Sequence, residues 1–235
     1  MASILLVVIY IAFISLGLPD SLLGSAWPSM YKTLNVPLSY AGILTMVIAG
    51  CTIVSSLMSE KMIRKFGTGI VTTVSVAMTA IALFGFSVSN SFWLLIVWGI
   101  PYGLGAGSVD AALNNFVALH YQARHMSWLH CFWGVGATLG PYIMGLCLTN
   151  HLPWNAGYQS IGVIQIVLVA GLFFSLPLWK KKTESVAAAP HAQGEAHGML
   201  KGLRMPGAKQ TLIAFFCYCA LETTTGLWAS SYMVE

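Results

Sequence analysis

An all-α integral membrane protein, built as a bundle of apolar helices, is the fold class that three features of this 235-residue sequence predict. The first is composition. Hydrophobic residues make up 57% of the chain and Asp, Glu, Lys and Arg only 8%, against roughly 25% charged in ordinary soluble domains. So few solvated groups cannot cover a 25.3 kDa chain, which excludes a water-soluble globule, and the apolar excess excludes disorder. The second is the length of the uncharged runs. No Asp, Glu, Lys or Arg occurs over residues 66–109 or 125–179, and each run is long enough for two crossings of about 20 residues. The third is the lack of period-two alternation, which makes the runs helices rather than strands of a membrane barrel.

The spans follow in order. The first is placed at 3–30; no Lys or Arg precedes Lys32, so it reads as a retained helix rather than a secretory leader. The second, 40–58, stops before Lys61, Arg64 and Lys65. The uncharged run at 66–109 has to fold back at its polar stretch 87–91, giving spans at 69–88 and 92–119. The run at 125–179 folds at 150–155, where Pro153 breaks the helix, giving 128–149 and 157–179. Residues 180–209 are rich in Ala, Pro, Gly, His and basic side chains and read as a linker, before a seventh span at 210–234. The expected division is a six-helix bundle (1–179), a basic linker (180–209), and the first helix of a second half (210–235).

Charge placement sets an orientation. Of the 11 Lys and Arg residues, all except Lys32 fall in the gaps after the second, fourth and sixth spans. By the positive-inside rule these gaps and the amino terminus are cytoplasmic. The formal charge of +4 is therefore not a nucleic-acid groove, because the basic residues cluster between spans instead of lining one face. The 5 cysteines all lie within apolar runs and read as small fillers. Short loops and a near-absent amino-terminal tail fit a bacterial inner membrane.

The seventh span repeats the first. Asp20, Gly24 and Trp27 recur as Glu222, Gly226 and Trp228, about one six-span unit later. The chain is expected to be a fragment whose second six-span half is missing, and Glu222 to mirror Asp20 from that half.

Three acids, Asp20, Asp110 and Glu222, lie inside apolar spans. A charge at the bilayer centre costs roughly 2.5–3.5 kcal/mol on insertion scales, so such groups usually face a polar interior and serve a pathway or a proton relay. Asp20 sits at a Gly-Leu-Pro-Asp break, where the alternative is a helix-end or kink cap. At 100° per residue, Gly99, Gly103, Gly107, Asp110 and Asn114 share one arc of about 80°. Tight helix packing explains the glycines by itself; an ionisable acid one turn from Asn114 asks for more. In the fifth span His130, Gly134, Ala137 and Pro141 share a face, and His130 can bond a hydroxyl or exchange protons, or else be a structural histidine. Trp27, Trp98, Trp133 and Trp228 are candidates for stacking on a ring, or are interface and packing aromatics. Gln165 is either a pore-facing amide or an interhelical link.

Catalytic patterns are weak. His120, His125 and His130 are spaced by five, which does not align them for a metal, and no nucleophile elbow surrounds Ser108. Nor is there a phosphate-cradling loop. No metal, no cofactor and no enzymatic reaction are expected; a proton gradient is the energy source.

Four passages carry a family resemblance. Residues 17–28 (GLPDSLLGSAWP), 103–115 (GLGAGSVDAALNN), 129–141 (LHCFWGVGATLGP) and the stretch 59–69 resemble a major facilitator superfamily transporter, and within it the fucose permease and glucose/galactose transporter group. The resemblance covers the amino-terminal half and the start of the second. It implies a twelve-helix fold, proton coupling through Asp20 and Asp110, and sugar contacts at His130 and Trp133, where Trp133 departs from the group's amide. It also implies a cytoplasmic gating motif at Arg64, Lys65 and Gly67, although Arg64 stands where many members have Asp. The expected function is a proton-coupled sugar symporter in the lipid bilayer, with Asn114, His130, Trp133, Gln165 and Trp27 binding substrate. The alternatives are a proton-driven exporter of small apolar compounds, a non-transporting membrane receptor, and an intramembrane hydrolase.

Overall fold

The computed structural model describes residues 2–187 and 205–234, which form eight helices and, among the described residues, no strand. They are α1 (Ala2–Asp20), α2 (Leu22–Thr33), α3 (Tyr40–Phe66), α4 (Thr68–Ser87), α5 (Phe92–His120), α6 (Ala123–Thr149), α7 (Trp154–Ala187) and α8 (Ala208–Val234). Seven stretches are long and apolar enough to cross a membrane, α1 and α2 counting together as Ile4–Thr33. An all-α membrane bundle is therefore the observed fold.

Local chemistry sets the breaks. Pro19 has no N–H to donate, and the first span parts at Ser21, between α1 and α2. Between α3 and α4 a single residue, Gly67, turns the chain with φ +82°, a conformation that a side chain resists. The α4–α5 turn is closed by Ser89, whose hydroxyl donates to the Gly85 carbonyl at 2.6 Å. Pro153 stands just before α7, where its missing donor costs nothing.

Three helices outrun their expected ends. α3 continues through Lys61, Arg64 and Lys65 to Phe66, because no breaker occurs before Gly67. α6 begins at Ala123 and so includes Arg124. α7 continues to Ala187, since Lys and Glu are good helix formers. The start of the expected linker is thus helical, and its stretch 188–204 lies outside the described residues.

α5 lies between α3 and α4, α4 also packs on α7, α1 packs on α6 and α7, and α8 rests on α2. Small residues allow the closest of these approaches. A Cβ added to Gly136 would fall on the Ile14 carbonyl oxygen, and one on Gly140 would fall on that of Leu18, so α1 and α6 meet backbone to backbone, as membrane helices do. Buried side chains form two clusters. One gathers around Trp27, Met30, Leu83 and Phe86, the other around Phe13, Phe116, Leu129 and Trp179. Large apolar side chains such as Phe174, 80% exposed, cover the outside, which suits hydrocarbon and not water.

The α1–α6 contact yields a stability prediction. Gly140→Val should lower the unfolding free energy by about 1–3 kcal/mol through overpacking, read as a lower melting temperature in detergent. Gly145→Val, at a position where a Cβ meets nothing within 4 Å, should melt close to wild type.

Candidate functional site

The break between α1 and α2 places Asp20 inside the bundle, where its two carboxylate oxygens each accept one hydrogen bond. Tyr102 Oη on α5 donates to Oδ1 at 3.1 Å, and Trp133 Nε1 on α6 donates to Oδ2 at 2.9 Å. One acid thus ties three spans together. Tyr102 is 6% exposed and leans against Phe86 with ring centroids 6.0 Å apart.

Two adjoining compartments open around this knot, of about 610 Å³ and 550 Å³. Asp20, Tyr102, Trp133 and Glu222 line both. The first is otherwise mainly apolar, with Leu44, Leu83 and Phe86 in its wall. The second adds Asp110, His130 and Tyr218. Asp20 and Asp110 are exposed residues, yet the space they face is this cavity.

Asp110 is held from its own helix: Asn114 Nδ2 donates to its Oδ1 at 2.9 Å and to its backbone carbonyl at 3.0 Å. Asn114 does not itself line either compartment, so it orients the acid. His130 meets Phe13 edge-on at 6.0 Å. The glycine stripe of α5 is a packing surface, because Cβ atoms on Gly103 and Gly107 would collide with the Ile48 and Thr52 carbonyl oxygens of α3. That contact is stitched by Thr52 and Ser56 hydroxyls, which donate to the Gly103 and Gly107 carbonyls at 3.2 Å, and by Ser55, which bonds Ser108. Ser108 is thereby part of a helix seam.

The structure brings together Asp20, Asp110, Glu222, His130 and Trp133 around the cavity, and leaves Asn114, Trp27 and Gln165, also expected to bind substrate, outside its lining. Trp27 is fully buried, with Nε1 donating to the Leu38 carbonyl at 2.8 Å; it packs the α2–α3 turn and has no surface for a solute. Gln165, 1% exposed, accepts from Ser15 Oγ at 2.7 Å and donates to the Ser15 carbonyl at 2.6 Å. Its amide is occupied by a link between α7 and α1, and it lines neither compartment. Arg64, Lys65 and Gly67 stand together at the α3–α4 turn, away from the cavity. Arg64 approaches Glu60 at 3.9 Å on an exposed helix face, a pair worth little. Tyr102 went unread in the sequence, although a tyrosine between the α5 glycines, two turns before Asp110, marks the same helix as polar within the bundle.

The family model described as Major Facilitator Superfamily matches residues 9–235. The chain belongs to the major facilitator superfamily. Two curated relatives align along 96% of the chain: "Bypass of stop codon protein 6" of Saccharomyces cerevisiae, 20% identical and covered over 49% of its length, and "Glucose/mannose transporter GlcP" of Bacillus subtilis, 22% identical and covered over 57%. The chain spans about half the length of these curated relatives. As a superfamily member with seven apolar spans among its described residues, it is an integral multi-pass membrane protein.

The Ser15–Gln165 link can be checked. Ser15→Ala removes the donor from a buried amide oxygen, at an expected cost of about 1–3 kcal/mol. Adding Gln165→Leu also takes the donor from the Ser15 carbonyl, whose helical partner would be Pro19 with no N–H, so the double variant should melt below the single one in detergent.

Proposed function

We propose that this superfamily chain is the first half, with the leading helix of the second, of a secondary transporter that carries a neutral sugar together with a proton by alternating access. The observation that carries the reading is a cavity in which acids from α1, α5 and α8 meet. Asp20, Asp110 and Glu222 line it, and its described lining holds neither Lys nor Arg. Acids kept inside an apolar bundle without a Lys or Arg partner are stable when they can bind protons. Protonation removes the charge, and the loaded carrier can then rock about a fixed central site. A membrane potential adds roughly 2.3 kcal/mol per charge per 100 mV, so no nucleotide is needed. In this reading the amino terminus and the basic gaps face the cytoplasm.

A neutral polyol suits the lining. Asp110 and His130 offer an acceptor and a donor for hydroxyls, Trp133 offers an aromatic face, and an anionic solute would meet three carboxylates. The likeness to a protein named as a glucose/mannose transporter, and the motif resemblance to the fucose permease group, support a sugar. The apolar wall of Leu44, Leu83 and Phe86 favours a second reading, an exporter of apolar compounds, in which solute and proton cross in opposite directions.

The complete transporter in proteoliposomes should accumulate D-glucose or D-mannose when the outside is made acidic. Asp110→Asn should abolish gradient-driven accumulation while leaving equilibrium exchange. Solute-evoked proton release would favour the exporter, and no flux across a panel of neutral sugars would overturn the proposal.

A further inference from the structure

The two donors on Asp20 differ in kind. An indole N–H donates and has no lone pair to accept with, whereas a tyrosine hydroxyl donates one hydrogen and also accepts. A proton on Oδ2 would leave that oxygen a poorer acceptor for the Trp133 N–H, 2.9 Å away, and the indole cannot receive the new O–H. A proton on Oδ1 meets Tyr102 Oη at 3.1 Å, whose lone pairs receive it once the tyrosine hydrogen has turned aside.

We propose that Asp20 takes its proton on Oδ1 and that Tyr102 is a positioning residue that switches from donor to acceptor when it does so, swinging its own hydrogen into the cavity. The inference rests on the reading of Asp20 as a proton carrier. One O–H bond forms, at Oδ1, with the incoming proton. The Tyr102 O–H bond only rotates, and Trp133 keeps its bond to Oδ2 throughout. There is room for the rotation, because Tyr102 borders both compartments while its ring is held against Phe86.

The switch links proton to solute. With Asp20 ionised, the Tyr102 hydrogen belongs to the carboxylate; with Asp20 neutral, it is offered to a hydroxyl oxygen in the cavity. One such hydrogen bond is worth about three- to tenfold in affinity, and by reciprocity the bound solute holds the proton by the same factor. No bond between protein and proton donor has to be strained for this coupling.

Other titratable groups share the cavity: Asp110 from α5, His130 from α6, Tyr158 from α7, and Tyr218, Cys219 and Glu222 from α8. The test must therefore assign its signals. Infrared difference spectra of the complete transporter in liposomes, taken between alkaline and acidic pH, report carboxylic C=O and tyrosine C–O stretches separately. The expected spectrum contains a carboxylic C=O band that Asp20→Asn removes. It also contains a tyrosine C–O change from donor to acceptor, which both Asp20→Asn and Tyr102→Phe remove. In Tyr102→Phe the Asp20 C=O band should remain and move to higher wavenumber, because its O–H has lost an acceptor. A titrating Asp20 band with no change in any tyrosine C–O mode overturns the switch and leaves the proton-carrier reading standing. If no carboxylic band depends on Asp20, the carrier reading itself fails. The wild-type spectrum together with Asp20→Asn decides even if Tyr102→Phe does not fold.

Discussion

A carboxylate inside an apolar helix bundle has to be given hydrogen-bond donors and open space, and this structure is arranged around that requirement at Asp20. The break after Pro19 releases the end of α1 from the regular helical ladder. Tyr102 and Trp133 then reach the carboxylate from two other spans. Remove the acid and two polar groups, an indole N–H and a phenol, lose the partner that ties α6 and α5 to α1. The same knot forms the shared wall of both compartments, so the group that joins α1, α5 and α6 also faces whatever enters the cavity.

Close packing elsewhere makes that opening possible. Glycines at α1–α6 and α3–α5 let backbones touch, and serine and threonine hydroxyls stitch the seams without charged groups. The Ser15–Gln165 link does the same between α1 and α7. These hydroxyls and the Gln165 amide are spent between helices, while Asp20, Asp110 and Glu222 line the cavity. α8 contributes Glu222 while resting on α2, and Gly24 of α2 and Gly226 of α8 are so close that a Cβ on the first would strike the carbonyl of the second. Both residues belong to the short repeat shared by the first and seventh spans.

The class of fold was legible because hydropathy and span length are one-dimensional properties: a long uncharged run needs no partner to declare itself. Helix ends were less legible. α3 and α7 run on through lysines and arginines, which are good helix formers once the chain has left hydrocarbon. At the site, Asp20, Asp110 and Glu222 stand out in sequence as acids inside apolar spans, and the structure sets them along one cavity. Gln165 and Trp27 could not be sorted, since a lone amide or indole looks alike in sequence whether its partner is a solute or a backbone carbonyl on another span. Tyr102 was hidden for the converse reason. Tyrosine is ordinary in an apolar helix, and only the meeting of α5 with the α1 break gives its hydroxyl a task.

The central claim is that the intramembrane acids share a water-filled cavity instead of facing lipid. Thiol accessibility measures this directly, in the complete protein with its 5 native cysteines of this chain replaced. Asp20→Cys, Asp110→Cys and Glu222→Cys should each react with a small water-soluble thiol reagent, while Phe174→Cys, on the hydrocarbon-facing surface, should not. Reactivity at the three acid positions as low as that at Phe174→Cys would contradict the account.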